Sequence, residues 1–277
     1  MTDIKNKKQE LCAKKSYDFD DLVLVMEILR SEEGCPWDRE QTHESIRENF
    51  IEETYEVIEA IDTNDPVLLR EELGDVMLQI VFHARMEEEI GGFSVSDVCN
   101  DVCVKLIHRH PHVFGDVKVS DSDEVLDVWN SIKNEEKQRV TMTDKLRAIP
   151  PMLPALMRAE KAGKKAKCFD FVDTESVRAK LDEELAEVDE AIERGDINDI
   201  EEEIGDLLLT VTSLCRKLHV HPEQALKKAT DKFIDRFEML ETEALVRRID
   251  IETASMDVLD AVWDEIKHKN VKKDKKI

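Results

Sequence analysis

The chain has 277 residues, enough for two domains of ordinary size, and its 64 Asp and Glu outnumber its 40 Lys and Arg, for a formal net charge of −24. That excess argues against nucleic acid as a partner, because phosphate backbones are held by Lys and Arg surfaces. With 41% hydrophobic and 38% charged residues but only 8 Gly and 7 Pro, the composition suits a soluble helical protein and leaves little room for a turn-dense β fold.

Residues 1–18 read as a charged tail without an apolar leader segment, and an amphipathic helix is expected over 20–30, closed near Gly34 and Pro36. A loop from Cys35 to Thr42 leads into an acid-rich helix over about 43–62. Asn64-Asp65-Pro66 makes a turn, a second helix covers 67–90, and Gly91-Gly92 breaks it. Further helices are expected over 95–109 and 122–139. A first domain of 19–140 would then be followed by a linker over 141–154, which contains Pro150-Pro151 and Pro154. The second domain, 155–268, carries helices near 155–166, 174–194, 197–219, 222–246 and 256–268, ahead of a basic tail over 269–277. No stretch approaches the ~20 apolar residues of a membrane span. Six cysteines without a CxxC pair fit reduced thiols, so a cytoplasmic location and no membrane partner are expected.

The second half repeats the first. Glu52-Glu53-x-x-Glu56 and Glu71-Glu72-x-x-Asp75 return as Glu183-Glu184-x-x-Glu187 and Glu202-Glu203-x-x-Asp206, at a constant offset of 131. Most of the acids in so acidic a chain must be solvated helix faces, and a single EExxE would be read that way. Two copies, each followed by EExxD and an apolar run, point instead to a site. Residues three and four apart share a helix face, so Glu53 with Glu56, and Glu72 with Asp75, form carboxylate ledges that two packed helices bring together. Glu184, Glu187, Glu203 and Asp206 do the same. Converging carboxylates either take up protons or hold a hard cation, and oxygen-only ligands favour Mg²⁺, with Mn²⁺ as a substitute. The apolar runs after Asp75 and Asp206 predict buried core helices, and Gly74 and Gly205 predict close backbone approach.

Together with Gly34-Cys35-Pro36-Trp37-Asp38 and Arg109-His110-Pro111-His112-Val113-Phe114, the paired acid motifs make the chain resemble the MazG family over about residues 19–268. The resemblance implies two tandem all-α domains with four-helix-bundle-like metal sites. It also implies Mg²⁺-dependent conversion of nucleoside triphosphates, ATP among them, to nucleoside monophosphate and pyrophosphate by a homodimer whose subunits help build each other's sites. Lys232 and Arg236 lie at i and i+4; such a pair is by itself more often a solvated face, and the resemblance assigns it to the triphosphate. Trp263, by itself a core residue, is assigned to nucleotide stacking in the same way.

In the resulting mechanism Lys180, Lys232 and Arg236 stabilise charge on the phosphates and Glu183 positions or deprotonates the attacking water. Asn49 stands where the second half has Lys180, so the second half is expected to carry the catalysis and the first to be a candidate nucleotide-sensing or partner-binding module. A ferritin-like oxidase lacks support, because none of Glu56, Asp75, Glu187 and Asp206 has a His three residues on. Zinc at Cys99, Cys103 and the 108–112 histidines is disfavoured by the helix break at Pro111, which leaves those histidines to cap the helix or pack at the surface. No GxxxxGK[ST] loop occurs.

Overall fold

The computed structural model describes residues 2–138 and 140–274, and among these it contains helices and no strand. Contacts divide the chain into two compact units, Met1–Ile132 and Lys133–Ile277.

The first unit is built from α1 (Thr2–Ala13), α2 (Phe19–Leu29), α3 (Pro36–Glu40), α4 (Arg47–Asp62), α5 (Pro66–Glu89), α6 (Val95–Arg109), α7 (Pro111–Phe114) and most of α8 (Ser122–Glu136). Its centre is the α4–α5 hairpin. Asn64 takes the left-handed conformation (φ 56°), and the Asp65 carboxylate accepts from the N–H groups of Val67 (2.9 Å) and Leu68 (3.1 Å). Pro66 follows at the first helical position, where its missing N–H costs nothing. Met26 of α2 and Val81, Phe82 and Met86 of α5 form the core with Ile46.

The second unit comprises α9 (Met142–Arg147), α10 (Ala155–Lys165), a 3-10 turn at Lys167–Phe169, α11 (Thr174–Arg194), α12 (Ile197–Lys217), α13 (Pro222–Arg247) and α14 (Met256–Asp274). Its α11–α12 hairpin turns at Gly195 (φ 73°), after which Asp196 caps α12 by accepting from the Asn198 N–H at 2.9 Å. Leu240, Val262 and Ile266 form the small core between α13 and α14.

Several expectations are corrected. Residues 2–13 of the supposed tail are helical, because Leu11, buried at 7% exposure, anchors α1, and Lys7 pairs with Glu27 at 2.9 Å. The segment read as a linker contains α9, started by the reciprocal Thr141–Asp144 capping box and followed by buried Ile149. The start of the acid-rich helix moves from 43 to Arg47, since Thr42 and Ser45 exchange side-chain and backbone hydrogen bonds in a turn. The helical backbone of α14 extends through Asp274, into the expected basic tail, whose residues 275–277 lie outside the described residues.

The apolar runs of α5 and α12 are only partly buried. Leu73, Met77 and Ile80 form an open stripe of 37–49% exposure, and Ile204, Leu208 and Val211 repeat it 131 residues on at 37–49%. A Cβ added to Gly74 or Gly205 would meet nothing within 4 Å. The expected close approach therefore does not occur within the chain.

One polar contact fastens the segment before α4 to α5. His43 and His83 approach to 2.7 Å between their Nδ1 atoms, with ring planes 3° apart and centroids 5.0 Å apart. A separation that large at so short an N···N distance is that of rings lying edge to edge, sharing one proton. His43 Nε2 bonds Glu87 Oε1 at 3.0 Å. Burial first, and then His43, push the His83 pKa below its ordinary value. A histidine depressed in the folded state contributes stability that is complete above its unfolded pKa of about 6.5 and is lost as pH falls toward the folded value. Calorimetry should therefore show the melting temperature falling between pH 7.5 and 5.5 more steeply for the wild-type chain than for His83→Leu, whose substituent copies Leu214 of the repeat. Parallel pH profiles would refute the lowered pKa of His83.

Candidate metal centre and adjoining cleft

Each hairpin gathers three carboxylates. Glu53 and Glu56 from α4 meet Glu72 from α5, and Glu184 and Glu187 from α11 meet Glu203 from α12; in each trio the ligand oxygens lie within 4.8 Å of one another. Glu72 and Glu184 are buried, at 8% and 4% exposure. Burial, then Asp75 and Glu56, push the pKa of Glu53 upward, and burial, then Glu56 and Asp75, do the same to Glu72. Asp75 thus stands close beside the first trio without belonging to it. Asp206 stands outside the second trio and shares the wall of a cleft with Glu184. Oxygen-only trios of this spacing fit a hard divalent cation.

The second trio already holds a cation of its own. Lys180 Nζ lies 2.6 Å from Glu183, 3.1 Å from Glu184 and 3.8 Å from Glu187. Glu183 first, and then Glu184, raise its pKa above the ordinary lysine value against the opposing effect of burial. Glu187 is still pushed upward, by burial, with Lys180 opposing and Glu184 and Glu203 adding to the rise. Glu183 itself is exposed and lies outside the trio, as its neighbouring position on the helix requires.

Lys180, Glu184 and Asp206 open onto a cleft of about 740 Å³ between α10, the 3-10 turn, α11 and α12. Its walls include Leu146, Phe169 and Leu209, with Thr210, Ser213 and Arg216 from α12. Arg216 is paired with Asp170, which Lys217 also meets at 3.1 Å; Arg216 first, then Lys217, overcome burial and hold the Asp170 pKa down to about 2. A Cβ on Gly163 would come within 2.8 Å of Arg216 Nε, so the glycine makes room for the guanidinium.

Lys232, Arg236 and Trp263 do not line this cleft. Lys232 is exposed on α13; Arg236, half-buried, has an Nε without an acceptor. Trp263 packs on Phe233 with centroids 5.5 Å apart, at the edge of the α13–α14 core. In the first unit the equivalent Arg109 lies 5.3 Å over the Trp129 ring, which His110 meets edge-on at 4.8 Å. The histidine cluster therefore packs, and among the described residues the groupings able to hold a metal are the two acid trios; Cys99 and Cys103 belong to neither.

The cleft residues Phe169, Thr210, Ser213 and Arg216 escaped the sequence reading. A comparison of the repeats beyond the acids would have drawn attention to two of them, since Gln79 and Phe82 stand where the second half has Thr210 and Ser213.

The MazG nucleotide pyrophosphohydrolase domain matches the chain twice, over residues 41–114 and 173–240. The chain is 44% identical to the Thermotoga maritima nucleoside triphosphate pyrophosphohydrolase/pyrophosphatase MazG, over 90% of this chain and 95% of that protein. It is 40% identical to the Escherichia coli nucleoside triphosphate pyrophosphohydrolase, over 91% of this chain and 98% of the relative. It is also 38% identical to the uncharacterized Bacillus subtilis protein YabN, over 91% of this chain but 52% of that longer one. Two domain matches, each spanning one acid trio, and full-length relatives of this kind mean that the chain belongs to the MazG family of hydrolases in its tandem, all-α form.

Proposed function

We propose that the protein hydrolyses nucleoside triphosphates to nucleoside monophosphate and pyrophosphate with Mg²⁺, chiefly in its second half. The observation carrying this reading is that the second trio, with Lys180 among its acids, opens onto the large cleft. A divalent cation held by Glu184, Glu187 and Glu203, with Asp206 beside them, would neutralise phosphate charge and supply an activated water.

The remaining roles belong to side chains. Lys180 is tethered by Glu183 and lines the cleft beside Glu184; it offsets charge building on the phosphates. Glu183, exposed beside it, takes the proton of the attacking water. Lys232, Arg236 and Trp263 are assigned to phosphate and base contacts from a second copy of the chain, since they stand away from the cleft of their own. A homodimer is supported by the repeated open stripes of α5 and α12 and by their uncovered glycines, which leave the helix backbones approachable. Free cysteines and the absence of a membrane-length apolar helix among the described residues suit a cytoplasmic enzyme. The first half, with Asn49 in place of the lysine, is read as a metal-binding module with a regulatory part.

The paired variants Glu72→Ala/Asp75→Ala and Glu203→Ala/Asp206→Ala each dismantle one site. The second pair should lose on the order of a thousandfold in rate, several kcal/mol of transition-state stabilisation, while the first retains most activity. Equal losses, or the reverse order, would place the chemistry elsewhere. Wild-type products should be monophosphate and pyrophosphate; diphosphate with orthophosphate would contradict the assignment.

Metal dependence has its own expected outcome. A chelator should stop turnover, and Mg²⁺ or Mn²⁺ should restore it. Because ligands bind a cation only when ionised and Glu187 is shifted upward, Mn²⁺ affinity measured by electron paramagnetic resonance should weaken as pH falls from 8 toward 5. A pH-independent affinity would remove Glu187 from the ligand set.

A further inference from the structure

The two halves repeat their acids but not their clefts. The hollow between α2, α4 and α5 encloses about 130 Å³ and reaches none of the first trio's acids, against about 740 Å³ for the second-half cleft that Glu184 and Asp206 line. The two are equivalent by register: Asn49, Leu78, Gln79 and Phe82 line the first, and Lys180, Leu209, Thr210 and Ser213, each 131 residues on, line the second. Small-molecule sites run to roughly 300–1,000 Å³, so the second cleft has the size for a nucleoside and the first does not.

The difference lies in side-chain volume. Helix α12 turns Thr210 and Ser213 into the cleft where α5 turns Gln79 and Phe82, and Ala162 of α10 with Ala166 just beyond its end line the cleft, whereas Met26 and Leu29 of α2 line the first hollow. Phe82 is fixed: it is 4% exposed, packs in the core with Met26, and lies 5.3 Å beneath the Arg30 guanidinium. Swinging it aside would empty that core. In the second half Phe169, 94% exposed at the cleft wall, offers an uncovered ring face instead.

We propose that Ser213 is a specificity-determining residue: its small side chain leaves the room in which the base and sugar of the substrate lodge, while Phe82 denies that room in the first half. The inference rests on the pyrophosphohydrolase reading above and says where the nucleoside goes. With the triphosphate directed at Lys180, Glu184 and Asp206, the apolar wall of Leu146, Phe169 and Leu209 receives the flat base. Selection here is steric, since the acids on both sides of the repeat are the same.

The test is a volume series in the full-length protein, Ser213→Val, Ser213→Leu and Ser213→Phe, assayed with ATP and Mg²⁺. KM should climb along the series, by roughly tenfold or more at the first step and a hundredfold or more by phenylalanine, with kcat changing far less because ground-state room is what is lost. Mn²⁺ binding without nucleotide and the melting temperature report an intact acid trio and fold. If the phenylalanine variant misfolds, the valine and leucine variants and Thr210→Gln, which copies the first half, carry the same expectation. A flat KM in folded, active variants, or a fall in kcat alone, overturns the inference. A wild-type chain that turns over no nucleoside triphosphate overturns the underlying reading instead.

Discussion

Mutual repulsion of three carboxylates on a two-helix hairpin is the constraint around which each unit is organised. Unit charges about 5 Å apart at an effective dielectric of ~20 repel by roughly 3 kcal/mol per pair before solvent screening. The hairpin nevertheless brings them within 4.8 Å, because short capped turns pair the two helices in a register that sets the acids face to face. The strain is relieved by a proton, an internal cation or a bound one, and the halves use these differently. The first half has no lysine at the trio, and two of its acids are shifted upward. The second places Lys180 against three acids.

That difference bears on chemistry. An ammonium and a divalent ion cannot both neutralise the same oxygens in full, so under the proposed function entry of an ion into the second trio would loosen Lys180 on the cleft wall and free it for phosphate oxygens. The same residue would thereby stabilise the site without the ion and be available to a substrate with it, and Asn49 offers the first half neither service.

Much of this was legible because it is local. The hairpins followed from period, from the Asn64-Asp65-Pro66 turn and from the spacing of the acids repeated in the second half, where the structure turns at Gly195 and caps with Asp196. The register of the repeat picked out four acids per half, of which the fold gathers three, with Asp75 and Asp206 outside the trios. What escaped depended on neighbours distant in sequence or on context outside the chain. Helix α1 is held by a single buried leucine in a charged segment, and α9 by a Thr–Asp box in what read as a proline-rich link. The exposure of α5 and α12 contradicts a hydrophobic run read as core, because hydrophobicity says that a face is to be covered and not by which molecule. Lys232, Arg236 and Trp263 were grouped with the acids by resemblance, and within one chain the fold keeps them off the cleft wall.

The tightness of the hairpins carries a consequence for biogenesis. All three acids of a trio lie within twenty residues of chain, Glu53 to Glu72 or Glu184 to Glu203, so each binding group is complete once two adjoining helices have closed on one another. During synthesis the first trio can assemble before the residues of the second have been joined to the chain. The price is that α4 meets, later in the same chain, a second partner resembling α5. Early closure of the first hairpin, which a cation bound by its repelling acids would favour, would lower the chance of the duplicated helices exchanging partners.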